Sequence, residues 1–291
     1  MGPVNQRTLG VAAALFYIFL WASAFVPSKI GALDSSPLWF LVVRFATAGA
    51  IALAASFALG VRWPRGRSEW LAIAAVGILS NAVYLGCTYE ALRHMGSGVG
   101  AIVASTNPLT LALVAPWLLH EPLTVRKAIG LLLGFGGVVA IMIVRTGSGT
   151  ADPLDIATAF VGVLGSVAST IVFKRWCAGL DLRAVTALQL LVAGLALLPL
   201  AIAFEGPPHA TWTWQLLVSF AYVVLVMSFG ASLLWFWLLT HGEASRVSAY
   251  YFLTPVFGLA LAALLLHEPV GVRDLGGLVS IALGIAIVQR A

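Results

Sequence analysis

The chain carries one chemically suggestive motif twice, His120-Glu121-Pro122 and His267-Glu268-Pro269. A His-Glu pair on a helix becomes a zinc site when a second histidine follows one turn later. Both imidazoles then share a face, and the glutamate serves as base. That place is held by Thr124 after the first copy and Gly271 after the second, so neither copy reads as a metal centre. Cys87 and Cys177 are the only thiols, too few for a disulfide framework, and Cys177 is expected in a polar loop. An enzyme would pair a nucleophile with a base, and no histidine or aspartate is expected inside the apolar runs to act as one. The expectation is no catalytic residue, no metal and no cofactor. The motif is read as a helix boundary: proline ends one helix, and glutamate caps the N-terminus of the next, where the dipole favours an anion.

Other residues are suited to binding without covalent chemistry. Asn81, Tyr84 and Thr88 fall at i, i+3 and i+7, one face of a helix. Trp21, Phe25 and Ser28 share a face in the same way, as do Ser228, Ser232 and Trp235. Tyr250, Tyr251 and Thr254 stand beside Pro255, and Ser105, Thr106 and Asn107 beside Pro108. Ser166, Ser169 and Thr170 complete the set. Polar groups inside a bilayer must face protein or water. Singly, each is a bond between helices. Together, aromatic faces beside hydroxyls and amides are read as the lining of a solute cavity, with Pro108 and Pro255 as paired bends for gating. The plainer reading, in which the rings only pack helices, stays open. Arg44 and Glu90 are the charges placed inside apolar runs. Arg44 is expected to pair with Glu90 or helix-end carbonyls, or to attract a solute carboxylate.

These residues need long apolar helices to position them. The 291 residues are 61% hydrophobic and 9% charged, with a mean hydropathy of +1.01. A soluble domain carries about 25% charged residues, and this much apolar surface would leave it with large exposed patches. About 20 apolar residues cross the hydrocarbon core as a helix. Spans are expected over 9–28, 37–60, 69–92, 98–119, 126–144, 154–173, 184–204, 214–239, 246–266 and 272–289. Alternating sides from a cytoplasmic N-terminus places eleven basic residues inside and four outside, so both termini are expected in the cytoplasm. The net charge of +5 sits in short loops rather than along one face, which argues against nucleic acid as a partner.

A shift of 147 positions aligns the two halves. Leu118-Leu119-His120-Glu121-Pro122 meets Leu265-Leu266-His267-Glu268-Pro269, Val125-Arg126 meets Val272-Arg273, and Pro108 meets Pro255. Five spans make the unit. Because five is odd, the second copy enters the membrane from the opposite side, giving repeats at 1–146 and 147–291. Such inverted repeats suit transport: one structure built twice, upside down, opens in turn to either side, with the solute site near the midplane. Gly130, Gly134 and Gly137, with Gly277 and Gly284, are read as close helix contacts.

Tyr89-x-Ala91-Leu92, Pro108, the Leu119-to-Leu123 motif and Gly130, with their echoes in the second half, resemble the drug/metabolite transporter superfamily in its ten-helix EamA-type branch. Trp21-Ala22-Ser23-Ala24-Phe25 resembles that family's first-helix tryptophan motif, and Arg44 its second-helix arginine. The resemblance implies an all-α membrane protein: a basket of ten helices around a central cavity lined by spans 1, 3, 4, 6, 8 and 9, with spans 5 and 10 packed beside it. Within the superfamily the chain is similar to bacterial exporters of aromatic amino acids. This implies a monomer in the inner membrane whose partners are the lipid bilayer and an aromatic amino acid, with another small metabolite, a drug or a passive channel as the alternative.

Overall fold

The computed structural model describes residues 6–91, 94, 97–146, 152–258, 260 and 271–291. Glu268 and its motif therefore lie outside the described residues. The described chain is helical, with a single bridge between Ser35 and Ala210. Helix α1 is Gln6–Ser23 and α2 is Phe25–Asp34, parted by a turn at Ala24. Then come α3 (Pro37–Ala58), α4 (Arg67–Ala91), α5 (Ser97–Ala104), α6 (Asn107–Leu118), α7 (Val125–Thr146) and α8 (Pro153–Cys177). The remainder is α9 (Leu182–Glu205), α10 (Trp214–His241), α11 (Ala244–Ala249), which runs into a 3-10 turn at Tyr250–Leu253, and α12 (Val272–Gln289).

Local chemistry sets several of these boundaries. Asp152 accepts from Leu154 N at 2.8 Å and precedes Pro153, the first residue of α8, where proline's missing N–H costs nothing. Asp181 and Thr213 cap α9 and α10 in the same way. The chain leaves α6 through His120 at φ 57°, a left-handed place that glycine more often fills.

Seven helices are long and apolar enough to cross a membrane: α3, α4, the Val99–Leu118 stretch, Val125–Ile143 of α7, α8, α9 and α10. Between 28% and 50% of their residues are buried, so their outer faces present apolar side chains to the surroundings, as lipid contact requires. Of the other expected spans, the first is interrupted at Ala24. The ninth continues into residues outside the described set. The tenth appears as the shorter apolar helix Asp274–Gln289. Cys177 corrects the loop expectation: it ends α8, fully buried.

Two helix pairs flank the centre. α7 packs on α12 as expected, through glycines facing each other's backbone. A methyl on Gly284 would lie 2.5 Å from Gly130 O, and one on Gly137 would lie 2.6 Å from Gly277 O. α3 packs on α9 through Leu41, Phe45, Ala48, Leu190, Ala193 and Leu197.

Each end of the molecule is tied by a carboxylate acting between the two halves. At one end Glu121 accepts from Ala244 N at 2.7 Å and from Ser245 N and Oγ at 3.0 and 2.8 Å. It thus caps α11, whereas the sequence pointed to the next helix in the chain, α7. Lys174 stands 3.7 Å from Glu121 and donates to Leu239 O and Gly242 O at the C-terminus of α10. At the other end Glu205 accepts from Leu38 N at 2.9 Å and Trp39 N at 3.1 Å, the first turn of α3.

Candidate functional site

Five rings meet between the two halves. Tyr17 and Trp21 come from α1, Tyr84 from α4, Trp235 from α10 and Tyr251 from the 3-10 turn after α11. Tyr84 stacks on Trp21 with centroids 6.3 Å apart, Trp21 on Tyr17 at 6.2 Å, and Tyr17 on Trp235 at 5.1 Å. Tyr251 stands edge-on to Tyr17 and Trp21, tilted against Trp235, with its hydroxyl 2.8 Å from that of Tyr17. Four of the expected site residues, Trp21, Tyr84, Trp235 and Tyr251, are thus brought together. Tyr17 was missed, although it lies one turn before Trp21 on the same helix face, a spacing readable from the chain.

Backbone irregularity places these rings. α4 turns π-helical over Ile78–Val83, just before Tyr84, and α10 does so over Val223–Ala231, just before Ser232 and Trp235. A π segment shifts the facing of every residue that follows and is common at functional sites. α5 and α6 are parted at Ser105–Thr106, ahead of Pro108, which has no N–H to continue the helical ladder. The 3-10 turn at Tyr250–Leu253 lies ahead of Pro255 in the same relation.

The expected polar residues divide. Asn81 donates to Gln189 Oε1 at 2.5 Å and Asn107 to Ser166 Oγ at 3.0 Å, both bonds between helices. Ser105 returns its hydroxyl to Ala101 O at 2.7 Å within its own helix, and Ser169 reaches Val76 O at 3.4 Å. Thr88 faces Gly162 of α8, Ser232 is half-buried, and Tyr250 is buried beside Tyr251. The side chain of Phe25 lies outside the described residues. Gln189, fully buried, was missed: a lone glutamine in an apolar run carries no spacing signal.

Arg44 is buried in α3, and its described hydrogen bond runs from Nε to Ser228 Oγ at 2.8 Å. This is a neutral partner on α10 rather than the expected carboxylate; Glu90 is exposed. Pro108 and Pro255 are both buried.

An open apolar groove of about 740 Å³ is lined by Phe16 and Leu20 of α1, by Val226, Leu233 and Trp237 of α10, and by Asp181 and Arg183. Arg183 donates to both oxygens of Asp181 and holds that carboxyl below the usual carboxylate range. Among the described residues no group of His, Cys, Asp and Glu is arranged to hold a metal ion.

Comparison with known proteins gives a consistent picture. The model of the EamA-like transporter family matches twice, at residues 8–143 and 154–290. An uncharacterized transporter of Synechocystis sp. is 27% identical over 86% of this chain and 80% of its own length. The uncharacterized transporter YvbV of Bacillus subtilis is 27% identical over 94% of this chain and 89% of its own. A solved crystal structure superposes with a TM-score of 0.82 at 19% identity, covering 97% of both chains, which speaks to fold alone.

Proposed function

Because the chain belongs to the EamA-like transporter family, we propose that it exports aromatic amino acids, with other apolar amino acids as a lesser class, across a bacterial inner membrane by alternating access. The observation that carries the reading is the ring cluster. Tyr17, Trp21 and Tyr84 come from one half and Trp235 and Tyr251 from the other. A solute ring entering this cluster touches both halves at once. It replaces ring-on-ring contacts with its own, each worth about 0.5–1.5 kcal/mol beyond area burial. Its ammonium fits over a ring face for about 0.5–2 kcal/mol more. Binding of this kind is weak enough for release.

The architecture proposed is ten spans in two inverted five-helix repeats, 1–146 and 147–291, around a central path, acting as a monomer with both termini in the cytoplasm. Features recur in the described structure at the sequence offset of 147. The π segment at Ile78–Val83 answers to that at Val223–Ala231, and the break at Ser105–Thr106 to the turn at Tyr250–Leu253. The trans caps made by Glu121 and Glu205 sit at opposite ends. The double match to the family model supports the same division. Opening either end then requires releasing one trans cap while the other holds.

Counterflow into proteoliposomes loaded with Phe, Thr or Glu tests the solute. Uptake driven most strongly by Phe, and lost in Tyr84→Ala and Trp235→Ala, is the expected result. Thr or Glu supporting uptake as strongly as Phe would overturn the aromatic assignment.

A further inference from the structure

Among the described residues several cations are paired with carboxylates. Lys127, 1% exposed, has Glu243 and Pro122 O. Lys174 has Glu121 and two helix-end carbonyls, Arg246 has Glu243, and Arg183 has Asp181. Arg44 is 7% exposed and inside a membrane span, where an unmatched charge is costly. Yet it meets no carboxylate among the described residues. Nε donates to the neutral Ser228 hydroxyl, and the guanidinium lies 5.3 Å from the Phe45 ring centroid. Among the described residues neither Nη group meets a carboxylate. Beside it is the Tyr89 phenol, close enough to act on the guanidinium electrostatically. The Tyr89 hydroxyl is buried and forms no hydrogen bond of acceptable geometry. A buried cation held by neutral groups and a buried phenol thus lie side by side on α3 and α4.

We propose that Arg44, with the hydroxyls of Tyr89 and Ser228, is an anion subsite that receives the carboxylate of the transported solute. The proposal deepens the function proposed above and rests on it for the central path. A guanidinium fork takes a carboxylate through two parallel N–H···O bonds, and the phenol adds a third donor. A single cation matches one negative charge, which favours a carboxylate over a phosphate dianion. Ser228 lies in the π segment of α10, seven residues before Trp235 on the same helix, so the subsite and the ring cluster lie within about 10 Å of each other along α10. The solute is placed with its carboxylate at Arg44 and its apolar body toward the rings. Arg44 has no charged counterpart at position 191 in the second half, which is Leu191. One such site is therefore present, and not a symmetric pair.

The test is counterflow and thermal stabilisation of the full-length protein with L-phenylalanine, L-leucine and the neutral amides of both, at mildly acidic pH, where all four keep the ammonium. Each acid is expected to exchange about tenfold faster than its amide, the weight of a charge-assisted hydrogen bond. Arg44→Gln should bring the acids down to the level of the amides with monodisperse yield kept, and Arg44→Lys should recover part of the difference. Equal rates for acid and amide in the unaltered protein overturn the subsite, even where Arg44→Gln fails to fold. So does an Arg44→Gln protein that slows acids and amides alike, or an absence of any carboxylate-dependent flux or stabilisation. The aromatic preference separates from carboxylate recognition in the same measurements. Acid over amide with leucine equal to phenylalanine removes the aromatic preference alone, whereas phenylalanine over leucine with acid equal to amide removes the anion subsite alone.

Discussion

Glu121 holds the first two backbone N–H groups of a helix that begins 123 residues later, at Ala244. The first N–H groups of any helix lack partners within it, and its N-terminus attracts negative charge. The residue preceding α11, Glu243, makes no side-chain hydrogen bond to that helix's first backbone N–H groups and is engaged instead with the side chains of Lys127 and Arg246. The cap therefore comes from the other half of the chain. The cation facing Glu121, Lys174, meanwhile satisfies the carbonyl end of α10. Anion and cation each stand at the helix end of opposite polarity, and the two are close enough to pair.

Removing that carboxylate strands buried donors. Glu121→Ala is expected to lower unfolding free energy by about 1–3 kcal/mol, and Glu121→Gln by less, because an amide oxygen still accepts one of the bonds. Denaturation of the purified protein in detergent reads both. Stability equal to the unaltered protein in Glu121→Ala would remove the trans cap as a stabilising contact.

The α7–α12 seam predicts a contrast between neighbouring glycines. In Gly284→Ala the new carbon meets Gly130 O and Gly134 N, both at 2.5 Å. Backbone atoms cannot turn aside, so a loss of about 1–3 kcal/mol follows. In Gly136→Ala nothing lies within 4 Å, and the better helix propensity of alanine gives a neutral result or a gain of up to about 1 kcal/mol. Thermal unfolding curves of the two variants, run side by side, should separate clearly; matching curves would argue against the seam.

The two thiols differ in access. Cys87 is partly buried, whereas Cys177 is fully enclosed at the end of α8. A maleimide added to folded protein in detergent should modify Cys87 first and reach Cys177 only after denaturation. Mass spectrometry of the tryptic peptides distinguishes them, and early modification at Cys177 would contradict its placement.

Pro108 and Pro255 follow matched interruptions of their helices. Under the proposed inverted repeat, relaxing one bend favours opening to one side and relaxing the other favours the opposite side. Pro108→Ala and Pro255→Ala are expected to fold and to shift the ratio of the two open states in opposite senses. Crosslinking yields between cysteine pairs placed at each end measure that ratio, and a shift in the same sense for both would dismiss the paired-bend idea.

Much of the scaffold was legible because membrane insertion is decided locally. A run such as 184–204 declares itself by hydropathy alone and reappears as α9. The glycine seam was equally readable, since small residues at helical spacing in two runs admit few uses other than close contact. Four of the five rings were visible in the sequence, three of them for a similar reason: Trp21, Tyr84 and Trp235 stand on faces marked by helical spacing. Tyr17 needed only one more turn of the same pattern.

What the chain alone determined, then, is that it is helical, that it carries membrane-spanning runs and that its halves repeat in sequence. Each of these follows from periodicity, hydropathy or spacing, which are properties of neighbours in sequence. Tertiary structure alone decided that Glu121 caps α11 and not α7, that Asn81 is held by Gln189, that Arg44 turns to Ser228, and that five rings from two halves form one cluster. Those outcomes depend on which helix faces meet when the halves dock. A buried donor or charge takes the acceptor that docking brings within 3 Å or so, however distant in sequence, and no local pattern encodes that choice.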